Sequence, residues 1–161
     1  MLLRRMAMIF GLMSLASAPG FAVEFQPIKQ QAMTAHYRLE LMIGPMEKVM
    51  TAAQAASANA KEGEVMIRGT MATPKDMANA RHLELHVYAL DKGTAVSDAN
   101  VTIIVTDSAR KIVTLPIAVM YGVADGPSDT HYGNLIGMPA GSYTIDVTAN
   151  GEKSSFKVMV P

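Results

Sequence analysis

The chain has 161 residues, with 14 basic and 14 acidic side chains, four histidines, no tryptophan and no cysteine. The lack of cysteine excludes disulfides and thiolate-ligated zinc, iron–sulfur and blue-copper sites. No basic stripe is present to meet nucleic acid or an anionic lipid surface, and the length suits one domain with a sizeable core.

The chain opens like a secretory signal. Met1 to Arg5 is a short basic start, and Met6 to Ala18 is a 13-residue apolar run too short to span a bilayer. Gly20-Phe21-Ala22 offers small residues to a signal peptidase. Cleavage is expected after Ala22, giving a periplasmic or secreted product. Removing Arg4 and Arg5 from the 14 basic residues leaves 12 against 14 acidic ones, a net of −2. Ten of the 14 methionines lie beyond residue 22, and in a cysteine-free chain thioether and imidazole are the softest ligands available.

Residues 23–35 read as a loosely ordered lead-in to a single domain over 36–161. His36 to Ile43 alternates, with Tyr37, Leu39, Leu41 and Ile43 on one face, and predicts a strand. Gly44-Pro45 ends it. Pro45 suits a first helical position, and the Ala/Met/Gln/Lys-rich run that follows predicts a short helical insertion near 45–62. Glu64 to Met71 predicts a strand, and 72–80 a connection containing Met77.

The most informative stretch is Arg81-His82-Leu83-Glu84-Leu85-His86-Val87-Tyr88. As a strand, its period of two puts His82, Glu84, His86 and Tyr88 on one face and Leu83, Leu85 and Val87 on the other. Ala99 to Thr106 predicts a further strand, turned at 107–110 into 111–119, where Pro116 marks an edge or a bulge. Residues 120–134, rich in Gly, Pro and Asp, read as a long functional loop. Tyr143, Ile145 and Val147 then alternate through 142–149. Asn150-Gly151 is a strong hairpin signal into 154–160. The pattern predicts an all-β, antiparallel Ig/cupredoxin-like sandwich of seven to eight strands.

Alternate strand positions do not all reach one ion without a bend, so the strand supplies one wall of a site. Met120 and His131 flank the loop, which is able to fold both toward one point. Thioether plus imidazole suits Cu(I), and an added carboxylate admits Cu(II) or Fe(II). The competing reading is a solvated strand face with Met120 in the core. No Gly-x-Ser-x-Gly elbow, phosphate loop, His-Glu-x-x-His pair or calcium loop is present, so no enzyme is expected.

His82-Leu83-Glu84, Met120 followed by Val123-Ala124-Asp125-Gly126-Pro127, and His131-Tyr132-Gly133-Asn134 together resemble the periplasmic iron-transport proteins that bind copper in a cupredoxin-like sandwich. The likeness spans roughly 81–160. It implies a metal held by His82, Glu84, Met120 and His131, copper first and iron second, in a partner of a membrane iron permease, often a homodimer. The spacing from Met120 to His131 is longer here, and no histidine follows His131; His86 or Met77 is positioned to substitute. The expectation is a metal-uptake, delivery or buffering protein with His82, Glu84, His86, Met120 and His131 as ligands. The alternative is a metal-free sandwich module for adhesion or assembly.

Overall fold

The computed structural model describes residues 25–161. The signal segment expected at 1–22, with its cut after Ala22, lies outside the described residues. Two sheets pack face to face into a β-sandwich. Among the described residues eleven strands are formed, where seven to eight were expected: β1 (Ile28–Met33), β2 (Tyr37–Gly44), β3 (Val49–Met50), β4 (Glu64–Arg68), β5 (Ala80–Ala89), β6 (Val101–Asp107), β7 (Ile112–Thr114), β8 (Ala118–Gly122), β9 (His131–Gly137), β10 (Gly141–Ala149) and β11 (Glu152–Val160). One sheet runs β1-β2-β5-β9-β8-β4-β3 and the other β11-β10-β6-β7. All neighbours are antiparallel except the two-residue pairing of β3 with β4.

The alternating strands behave as their pattern dictates. Leu39, Leu41 and Ile43 of β2 and Leu83, Leu85 and Val87 of β5 face Val101, Ile103 and Val105 of β6 and Ile145 and Val147 of β10. Full burial of such aliphatic side chains contributes about 1.5–3 kcal/mol each, which fixes the register of both sheets because a one-residue slip would turn each row outward. Asn150 and Gly151, both at positive φ (49° and 87°), make the tight turn that pairs Ala149 with Glu152.

Five expectations about individual segments are corrected. The lead-in contains β1, an edge strand whose sequence alternation is muted because polar Gln30 shares the inward face with Ile28 and Ala32 while apolar Met33 is exposed on the other. The helix α1 covers only Ala52–Ser57: Thr51 and Gln54 form a reciprocal capping box at its start, Asn59 leaves the helix at positive φ, and none of its residues is buried. Without an apolar stripe to bury, good propensity does not extend it. Pro45 is not helical; the chain after it runs on to β3. Pro116 is neither an edge nor a bulge residue within one strand. It sits where the chain leaves β7 in one sheet and enters β8 in the other.

The largest correction concerns 120–134. Seven of its fifteen residues are sheet, with β8 extending to Gly122 and β9 beginning at His131, and a one-turn 3-10 helix spans Gly126–Asp129 between them. Met120 and His131 face each other as directly opposed residues of adjacent antiparallel strands, brought together by the connection 123–130 that turns β8 into β9.

Candidate metal centre

The face of the seven-stranded sheet turned away from the other sheet carries the site. In register across it, Glu40 of β2 lies opposite His86 of β5, His86 opposite His131 of β9, His131 opposite Met120 of β8, and Met120 opposite Met66 of β4. One step along, Met42 lies opposite Glu84, and Glu84 opposite Gly133. Glu64 follows the same phase as Met66 and joins this face from the start of β4.

Outer sheet faces are normally wet, yet here His82, Glu84, His86, His131, Met120 and Glu64 are all buried. β5 is thus covered on both sides. Met120 is fully buried but stands outside the hydrophobic cluster between the sheets, which includes Met138 instead.

Glycine at 133 makes the close approach of β9 to β5 feasible. A Cβ there would lie 1.8 Å from the Leu83 carbonyl oxygen. Its neighbours divide the remaining work. The Tyr132 hydroxyl donates to the Val96 carbonyl and accepts from Ala99 N–H at 2.8 Å, pinning the crossover between the sheets. The buried Asn134 amide donates to the carbonyls of Thr70 and Pro116 and accepts from the N–H of Ala72 and Leu135.

The donors converge tightly. Glu84 splits its carboxylate, with Oε1 at 3.2 Å from His82 Nδ1 and Oε2 at 3.4 Å from His86 Nε2. His131 Nε2 lies 3.4 Å from Glu64 Oε2. The His131 ring centroid is 5.0 Å from that of His86 and 5.7 Å from that of His82. Among the described residues, two triads have ligand atoms within 4.8 Å of one another: Glu84, His86 and His131, and Glu64, His82 and Glu84.

Many of these atoms lack hydrogen-bond partners: Glu64 Oε2, both ring nitrogens of His82, His86 Nδ1 and His131 Nε2. Buried polar atoms left this way cost about 1–3 kcal/mol each. For His131 the tautomer follows from its contacts. Nδ1 lies 2.9 Å from the Asp129 carbonyl, which only accepts, so Nδ1 carries the proton and Nε2 is a lone pair aimed at Glu64. An imidazole steadied through one nitrogen by a backbone carbonyl and open at the other is how ligating histidines are held.

Electrostatics agree. Burial, then the charges of Glu84, Glu47, Asp129 and Asp125, push the Glu64 carboxyl up to about 8. Burial lowers His82 to about 4 against the pull of Glu84, and lowers His131 as well. Burial also drives Glu84 upward, but contact with His86 and the neighbouring His82 and His131 outweighs it, so Glu84 is the ionised carboxylate of the group. Neutral imidazoles around a carboxylate are the protonation states a divalent metal requires.

Of the expected ligands, the structure brings His82, Glu84, His86 and His131 into one cluster, with Met120 beside His131 in the register. Met77 is exposed in the connection before β5. The fourth histidine, His36, is exposed and pairs with Glu152. Glu64 was not among the expected ligands; its in-phase spacing with Met66 is the signal that identifies it.

No protein-family model matches the chain, and no curated protein matches it. Among solved structures it is similar to a DUF4426 family protein from Pseudomonas aeruginosa PAO1, with 13% identity over 82% of this chain and 94% of that chain and a TM-score of 0.49.

Proposed function

We propose that this chain binds a transition-metal ion, copper foremost and iron next, in the buried His/Glu cluster, and serves to buffer or deliver that ion outside the cytoplasm. One observation carries the reading. The lone pair of His131 Nε2 faces Glu64 Oε2 at 3.4 Å, and both atoms are buried without hydrogen-bond partners. Two acceptors so placed need a proton or a cation between them. Donor separations of this size also match neighbouring ligands around one ion at bond lengths of about 2.0–2.2 Å.

The donor set supports the choice of metal. Two imidazoles and a carboxylate, as in Glu84, His86 and His131, suit Cu(II) and Fe(II). Met120 adds a thioether on the same sheet face, a ligand type that favours Cu(I). Delivery to a membrane metal permease is the form of this role that the resemblance of His82-Leu83-Glu84 and His131-Tyr132-Gly133-Asn134 implies.

Titration of the metal-free protein with Cu(II), and with Cu(I) and Fe(II) under anaerobic conditions, tests the reading. Saturable uptake that disappears in a His82→Ala, His131→Ala double variant with a wild-type circular dichroism spectrum is expected. Equal affinity in that variant, or no uptake by the wild type, overturns the assignment.

A further inference from the structure

Above the buried donors lies a cleft of about 670 Å³ whose lining includes Glu84 and His86. We propose that this cleft holds an outer cation station, made by Asp129, Asp125 and Nδ1 of His86, that captures the hydrated metal ion and loads it into the buried cluster. The proposal rests on the metal-binding reading above and adds to it a route and a capture site.

The charge of the lining selects the occupant. Seven acidic side chains line the cleft (Glu40, Glu47, Glu62, Glu64, Glu84, Asp125 and Asp129), of which Glu64 keeps its proton near neutral pH, against two lysines, Lys29 and Lys61. A concave surface with low-dielectric walls focuses that imbalance and raises the local concentration of cations. Burial, and the charges of Glu84, Asp129 and Glu62, hold the Glu47 carboxyl above its ordinary range, so the negative potential reaches across the cleft.

The independent observation is His86. Its side chain is 8% exposed, its Nδ1 has no hydrogen-bond partner, and that nitrogen lies 3.6 Å from Asp129 Oδ1. The same ring turns Nε2 toward Glu84 Oε2 at 3.4 Å. One imidazole thus separates two carboxylates, Glu84 on the buried side and Asp129 on the cleft side. Asp129 is itself steadied: its Oδ2 accepts from Gly122 N–H at 3.1 Å, leaving Oδ1 for the ion. Tyr88 stacks on His86 with planes 5° apart and also lines the cleft. An ion held at Asp129 and His86 Nδ1 needs only to pass the edge of one ring to reach Glu84, His86 Nε2 and His131.

Stopped-flow mixing of the metal-free protein with Cu(II) chloride, followed by quenching of tyrosine fluorescence at low and high salt, measures capture directly. The double variant Asp125→Asn, Asp129→Asn keeps an acceptor for Gly122. It should associate about tenfold more slowly at low salt, with a flatter salt dependence, and the release rate into excess chelator should change far less. Lys61→Gln, at an exposed position, should associate about twofold faster. Wild-type rates and salt dependence in the Asn variant, or an unchanged rate in Lys61→Gln should the Asn variant not fold, overturn the outer station while the metal-binding reading stands. A wild-type protein that takes up no Cu(II) overturns both.

Discussion

Nε2 of His131 stands 3.4 Å from Oε2 of Glu64, and neither atom has a hydrogen-bond partner. The protons in this contact are fixed by its surroundings: the Asp129 carbonyl claims the Nδ1 proton of His131, and burial keeps Glu64 protonated up to about pH 8. A metal arriving between them must displace the Glu64 proton. Near neutral pH, uptake is therefore expected to release about one proton per ion from Glu64. The release should fade above pH 8 and vanish in Glu64→Gln. Indicator-dye measurements in weak buffer read it, and an equal proton count in wild type and Glu64→Gln would count against Glu64 as a ligand.

The same groups set how stability depends on pH when metal is absent. Between 4.5 and about 8 the folded chain keeps a Glu64 proton that the unfolded chain has lost, so stability falls as pH rises through that window. His82, lowered from 6.5 to about 4, and His131, also lowered, act with the opposite sign: the unfolded chain binds their protons first, and stability falls as pH drops below 6.5. Two histidines against one carboxyl place the maximum near pH 6.5. Denaturant unfolding with chelator present should show a decline on both sides. Glu64→Gln should lose only the alkaline decline; wild-type stability that does not decline between pH 6.5 and 8 contradicts the account.

Asn134 is expected to matter for stability rather than for metal. Its fully buried amide satisfies two carbonyls and two N–H groups from three places in the chain, tying the connection after β4 and the crossover at Pro116 to β9. Asn134→Ala strands these partners and should cost about 3 kcal/mol. Gly133→Ala is the companion case: the added Cβ meets Leu83 O at 1.8 Å, so β9 must move from β5 at a cost of about 1–3 kcal/mol. That shift separates His131 from His86, so Gly133→Ala should also weaken metal binding, whereas Asn134→Ala should bind normally where it remains folded. Thermal melts paired with metal titration separate the two; equal loss of binding in both would refute the division of roles.

How far the sequence carried these conclusions depended on the physical signal at each segment. β2, β5, β6, β10 and β11 were legible because one face of each meets the core and their apolar residues alternate strictly. β1 was not, since Ile28-Lys29-Gln30-Gln31-Ala32-Met33 lies at an edge and is only half-buried, so propensity and pattern are both weak. β9 was hidden by Gly133 and Asn134, residues that usually mark turns but here permit strand contact and anchor loops. His82, Glu84, His86 and His131 were legible as ligand types, but their burial was not: an alternating polar row reads as solvated, and only the fold shows that this outer face is covered. Glu64 was legible as the first residue of a strand but not as a ligand, because only the pairing of β4 with β8 brings it onto the same face as Met66 and Met120.

Met120 offers the sharpest test of metal choice. It is fully buried and directly opposite His131, yet it stands apart from the core between the sheets. Met120→Leu conserves volume and apolar character, so the fold should lose less than about 1.5 kcal/mol. Only the thioether is removed. If the sulfur binds metal, Cu(I) affinity should fall by at least about tenfold while Cu(II), held by imidazole and carboxylate, changes little. His131→Ala should weaken both oxidation states by about 100-fold or more, because it removes a ligand that the Asp129 carbonyl holds in place. Competition against Cu(I)- and Cu(II)-specific chelators distinguishes these outcomes. Equal Cu(I) affinity in wild type and Met120→Leu would assign Met120 to packing alone and leave a hard, nitrogen-and-oxygen site suited to Cu(II) or Fe(II).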